Sequence, residues 1–216
     1  ATAQKGQVVS EGSVIETGAN GFVTLSGSDG SRVSLPSQSR VRVVESRRYL
    51  INQATSIDLQ LLRGRADVSA AKQRPPGRFQ LRTPVSVSAV RGTQFRVGFA
   101  DDRGLGTTEV VEGLVGVATP ASALDLPKGF GAAAASGGTL VREALLVPPG
   151  ARDAGKVQTD PAIDFALAPV AGAGGYRLQL ARDAGFIDVV AEQAGEAPRA
   201  SFSGIANGRY FMRASA

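Results

Sequence analysis

The sequence predicts an all-β protein: a β-roll or β-solenoid-type domain followed by a small, incomplete immunoglobulin-like sandwich. Three observations predict it. Apolar and polar residues alternate in short runs, as in half-buried strands. The 27 glycines recur between those runs, where turns belong. No stretch of residues 1–117 sustains a helical period of 3.6.

The elements follow in order. Gly12-Ser-Val-Ile-Glu-Thr-Gly18 is a short strand between glycines, and Phe22, Val23 and Leu25 begin the next. Ser28-Asp29-Gly30-Ser31 is a turn, because Asp bonds its own backbone and Gly accepts positive φ. Arg32-Val33-Ser34-Leu35 and Arg40-Val41-Arg42-Val43 alternate, placing the aliphatic residues on one face. Ile57, Leu59 and Leu61 continue the pattern up to Arg63-Gly64-Arg65, and AAKQRPPG (70–77) is a loop. Phe79, Leu81, Val85, Val87, Phe95, Val97 and Phe99 supply further strands, hinged at Val90-Arg91-Gly92-Thr93. Asp101-Asp102-Arg103-Gly104 is a turn, and residues 108–117 form two short strands across Gly113. The unequal spacing of these units makes a weak repeat.

The composition changes over residues 119–160, which are rich in Ala, Gly, Ser and Pro. These residues read as a partly strand-forming exit and a linker, with the tetra-alanine 132–135 as a candidate helical turn. The expected organisation is a β domain at 1–148, a linker at 149–156 and a second segment at 157–216. In the latter, Tyr176-Arg177-Leu178-Gln179-Leu180 and Gly208 to Arg213 read as strands. Its roughly 60 residues fall short of the roughly 100 of a full immunoglobulin-like sandwich.

Composition excludes several kinds of chemistry. The chain has no histidine and no cysteine. Imidazole bases, thiolates and disulfides are therefore absent, and only oxygen ligands remain for a metal. No stretch approaches the roughly 18 apolar residues of a membrane helix, and no signal peptide opens the sequence. Net charge is +5 but uneven: residues 1–103 carry +7 and residues 104–216 carry −2. A basic first half can attract anionic partners; a solvated basic surface is the simpler explanation.

Candidate catalytic groups are sparse. Asp101 and Asp102 share a polar turn, and Glu109 and Glu112 point to opposite faces of a strand. Neither pair flanks a substrate, and no lysine stands in a serine–lysine arrangement. Asp29 alone is too little for calcium. Gly104-Leu-Gly106 and Gly129-Phe-Gly131 open no helix and are not phosphate loops. We therefore expect no enzyme, cofactor or metal site. Arg47-Arg48-Tyr49 is a candidate binding cluster, able to contact a phosphate or stack on a base or sugar; a polar loop tip is the simpler reading. Aromatics make up only 6% of the chain, too few to interleave with the basic residues as nucleic-acid binding requires. In Arg91-Gly92-Thr93, Gly92 permits a sharp turn. Arg91 is expected to be partly buried on carbonyls or a carboxylate, and Thr93 to bond the local backbone.

The first 130 residues resemble the FecR domain. The matching pieces are GSVIETGANGFVTL, DGSRVSLPSQSRVRV, LQLLRGRADV, FQLRTPVSVSAVRGTQFRV, TEVVEGLVGV and LPKGFG. The resemblance makes Asp29, Gly30, Ser31, Thr83, Pro84, Arg91, Gly92 and Thr93 a structural motif with no catalytic member. It implies a periplasmic, non-catalytic module of the bacterial cell envelope that signals by binding another envelope protein. The C-terminal part, DFALAPVAGAGGYRLQLARDAGF and NGRYFMR, is similar to a fibronectin-type-III or immunoglobulin-like segment. The alternative expectation is a binder of peptidoglycan or another anionic glycan through the basic half. No nucleic-acid partner and no membrane span is expected.

Overall fold

A computed structural model describes residues 2–152 and 155–216. The chain divides into two compact units, Ala1–Leu145 and Leu146–Ala216. The first holds β1 (Val14–Glu16), β2 (Val23–Ser26), β3 (Arg32–Leu35), β4 (Arg40–Arg48), β5 (Thr55–Ser69), β6 (Arg78–Arg82) and β7 (Val87–Val90). It continues through β8 (Gln94–Ala100), β9 (Leu105–Glu112), β10 (Leu114–Ala118), β11 (Ala123–Pro127), β12 (Phe130–Ala135) and β13 (Val141–Ala144). The second holds β14 (Ala151–Arg152), β15 (Ala162–Leu167), β16 (Tyr176–Ala181), β17 (Val189–Gly195), β18 (Arg199–Ser203) and β19 (Phe211–Ser215).

The organising element of the first unit is β5, 15 residues long. Its first half lies between β4 and β6; its second half lies between β3 and β8. It thus runs through two sheets. Sheet I has the order β1-β4-β5-β6-β7-β10-β11, and sheet II has the order β2-β3-β5-β8-β9-β12-β13. The β5–β6 pair is parallel and the other pairs are antiparallel. The strand changes sheets at Gly64, whose φ is +83°.

Alternation places the core where the pattern predicts it. Val41 and Val43 of β4, and Phe95, Val97 and Phe99 of β8, are buried, whereas Arg40 and Arg42 are exposed. Phe79 of sheet I meets Phe95 of sheet II edge to face, with centroids 6.4 Å apart at 88°. Full burial of each ring contributes about 1.5–3 kcal/mol.

Three local outcomes refine the sequence reading. The turn at Arg91-Gly92-Thr93 joins strands that do not pair with each other: β7 belongs to sheet I and β8 to sheet II. It is a crossover between layers. The tetra-alanine is not a helical turn, because Ala132–Ala135 form part of β12 and pair with β9. Ala132 and Ala134 are buried, and the pairing with β9 supplies the hydrogen bonds that a helical turn would have made internally. Within the expected linker, Ala151–Arg152 form β14 and pair with β15.

The second unit contains two three-stranded antiparallel sheets, β14-β15-β18 and β17-β16-β19. Leu167, Leu178, Leu180, Ala200 and Phe202 are buried in its separate core. Phe165 and Phe202 make an edge contact at 6.2 Å.

Candidate interaction surfaces

The motif residues brace the fold. Asp29 accepts hydrogen bonds from the Ser31 N–H and hydroxyl, at 2.9 and 2.8 Å, and from the Gln73 amide. The buried Ser31 hydroxyl in turn accepts from the Ala71 N–H at 2.9 Å. Gly30 holds φ at +87°, as the turn requires. Thr83, also buried, accepts from the N–H groups of Val85 and Ser86, which closes the turn around the exposed Pro84 between β6 and β7. Thr93 exchanges backbone hydrogen bonds with Ala70, and its hydroxyl donates to the Leu114 carbonyl at 3.0 Å. Gly92 sits at φ +81°, and a Cβ there would fall 2.6 Å from Lys72 Cγ. Two motifs distant in sequence, Asp29-Gly30-Ser31 and Arg91-Gly92-Thr93, therefore clamp the same segment, Ala70–Gln73.

Arg91 departs from expectation. It is exposed, and among the described residues it makes no hydrogen bond or ion pair. The physical reason lies in the crossover. The turn bonds through its backbone and through Thr93, so the Arg91 side chain projects away from the layers.

The outer face of sheet I carries a feature that alternation concealed. Asp58 points away from the core, yet it is 1% exposed. The Arg82 guanidinium covers it, donating from Nε at 2.8 Å and also from Nη2. Asp58 raises the Arg82 pKa further, against the effect of burial. Beside it, Glu45 accepts from Arg78 at 2.8 Å. Burial pulls the Glu45 pKa up, but the Ser56 hydroxyl and Arg78 outweigh it and hold the carboxyl below 4.5. Across sheet II, Arg65 and Arg96 pair with Glu109 at 3.5 and 3.4 Å. Most charged groups here are committed to one another. Among the described residues no cluster of His, Cys, Asp or Glu is placed to hold a metal.

Among the described residues, two surfaces stand out as candidates for binding. A cleft of about 490 Å³ opens between β2, β4, β5 and the segment Gly6–Val9. Val33, Val43, Ile57, Leu59 and Phe79 line its apolar floor; Ser26, Ser28, Ser31 and Ser46 line its polar rim. The edge strand β2, which pairs with β3, borders it. Sequence reasoning missed this cleft, because its floor residues are indistinguishable from core residues by alternation. The second surface contains Arg47, Arg48 and Tyr49. All three are exposed at the β4–β5 hairpin, with Arg47 3.4 Å from Glu11. Beyond them Leu50 is 84% and Ile51 102% exposed. An aliphatic pair between Tyr49 and Asn52, where a polar turn belongs, was the available signal.

Residues 13–116 match the family model described as FecR protein. Two crystal structures of a candidate anti-sigma factor from Parabacteroides distasonis ATCC 8503 resemble the chain at 18% identity, with TM-scores of 0.51 and 0.50. Each match covers 61% of this chain and 59% of the other, so the chain spans less than two thirds of those proteins. No curated protein matches it. No helix among the described residues is long and apolar enough to cross a membrane.

Proposed function

We propose that residues 13–116, which match the FecR family model, form a non-catalytic signalling module of the bacterial envelope. In this reading it is periplasmic and binds an extended segment of a partner protein in the cleft beside β2. The observation that carries the reading is the conjunction of an edge strand with an apolar-floored cleft. An added strand bonds through its backbone, and its alternate side chains enter such a floor. The anti-sigma assignment of the structural relatives supports a regulatory role. The second unit serves as a fibronectin-type-III-like spacer or second contact. Its strand order, first-second-fifth and fourth-third-sixth within the unit, supports that kinship.

The glycan reading draws on the basic half, but Arg40, Arg63, Arg65, Arg78, Arg82 and Arg96 all face carboxylates. That neutralisation favours protein over polymer. The test is affinity capture from envelope extract with the wild-type chain and with Ser26→Trp/Ser28→Trp, which fills the cleft from its exposed rim. The proposal requires a protein captured by the wild type and lost with the variant. Recovery of polysaccharide alone, reversed by salt, would establish the other reading.

A further inference from the structure

We infer that the β4–β5 hairpin tip is a membrane-surface anchor that inserts into an anionic lipid headgroup layer. This site is separate from the cleft, and it does not depend on what the cleft binds.

Leu50 and Ile51 project fully into solvent at the end of a hairpin. A protein partner would need a pocket shaped for such protruding side chains, whereas a bilayer interface accepts them without one. Tyr49, 39% exposed, stands one residue back, the depth at which an amphipathic ring belongs. Behind it are cations. Arg47 and Arg48 end β4, and Arg74 comes from the neighbouring loop, where the Pro75 carbonyl accepts from the Asn52 amide at 3.2 Å. Among the described residues, Arg48 and Arg74 have no carboxylate partner. Arginine side chains flanking an apolar tip reach lipid phosphates while the tip inserts.

The tip is also built to leave water. A backbone turn entering an apolar layer must satisfy its own polar groups. Here the Gln53 amide donates to the Leu50 carbonyl at 2.8 Å. The Asn52 side-chain oxygen accepts from the Ala54 N–H at 3.1 Å, and the Tyr49 N–H donates to the Ala54 carbonyl at 2.8 Å. These bonds satisfy polar groups on both sides of the exposed Leu50 and Ile51.

The chain contains no tryptophan, so Leu50→Trp provides a single reporter at a position whose side chain is largely free of protein contacts. With phosphatidylcholine vesicles containing about one-third phosphatidylglycerol, its emission should shift to the blue, and the protein should sediment with the vesicles. Vesicles of phosphatidylcholine alone should give at most a weak shift. Leu50→Ser/Ile51→Ser should weaken binding at least about tenfold, and Arg48→Ala/Arg74→Ala should remove the preference for anionic lipid. Absence of a shift on anionic vesicles would overturn the anchor. So would wild-type binding by the double-serine variant, which would reduce the effect to surface charge. Shielding of the Leu50→Trp indole by a captured protein and not by vesicles would make the tip a protein contact and equally refute the proposal.

Discussion

Gly64 lies directly against Ser39. A Cβ on Gly64 would sit 2.6 Å from both the Cα and Oγ of Ser39, and from the Gln38 carbonyl oxygen. The Ser39 hydroxyl accepts from the next N–H, that of Arg65, at 3.0 Å. The contact is closed from behind by Thr17, whose hydroxyl accepts from the Ser39 N–H at 2.8 Å. This is the place where β5 leaves sheet I for sheet II, so the two layers depend on a glycine there.

Gly64→Ala should destabilise the first unit by about 2–4 kcal/mol, combining a left-handed φ with a backbone clash. Gly30→Ala is the control. Its φ is also positive, but nothing lies within 4 Å of the added methyl. It should cost about 1 kcal/mol, as conformational strain alone does. Chemical denaturation of both variants checks the difference.

Phe79→Ala should cost about 3–5 kcal/mol, because it opens a cavity between the sheets and removes the edge contact with Phe95. Phe165→Ala belongs to a different core and should leave that transition in place. Denaturation followed by hydrogen exchange separates the two units.

Arg82→Ala strips the cover from the buried Asp58 carboxylate. A loss of about 1–3 kcal/mol is expected, reduced from the fully buried case because the Arg82 side chain is 44% exposed. Asp58→Asn in the same background should recover part of the loss, since it removes the uncompensated charge. A double-mutant cycle measures this coupling.

Glu45 yields a pH signature. Its folded pKa lies below 4.5, so its contribution is fully present above that value. It is lost as pH falls through the folded pKa. The stability difference between the wild type and Glu45→Gln should therefore be largest near neutral pH and shrink in acid. Urea midpoints taken across that range test it.

Arg91→Ala should change stability by less than about 0.5 kcal/mol, as exposed side chains without partners do. Gly92→Ala, one residue on, should cost several times more, because its methyl meets Lys72. Thermal melts of the pair decide whether the backbone or the arginine carries the turn.

Much of the fold was legible residue by residue. Val41 and Val43, Phe95 and Val97, and the turns at Gly30, Gly92 and Gly113 follow from alternation and backbone freedom alone. What alternation cannot supply is partner choice. Nothing local to Val87–Val90 and Gln94–Ala100 says that adjacent strands join different sheets. The same limit hid Asp58, whose burial arises from an arginine 24 residues away. It also misplaced Arg91: a polar residue beside a conformational glycine suggested a buried tie, and Thr93 performs that task through Leu114. The Arg47-Arg48-Tyr49 cluster was visible as composition. Its aliphatic extension at Leu50 and Ile51 gained meaning only once the hairpin left them uncovered.

In the proposed function, the cleft beside β2 holds a partner protein. Site-specific photocrosslinking in envelope extract tests it most directly, with the probe at Ser28 on the cleft rim or at the exposed Arg91. One discrete protein adduct is expected from Ser28 and none from Arg91. Equal labelling from both positions, or adducts of glycan alone at Ser28, would contradict it.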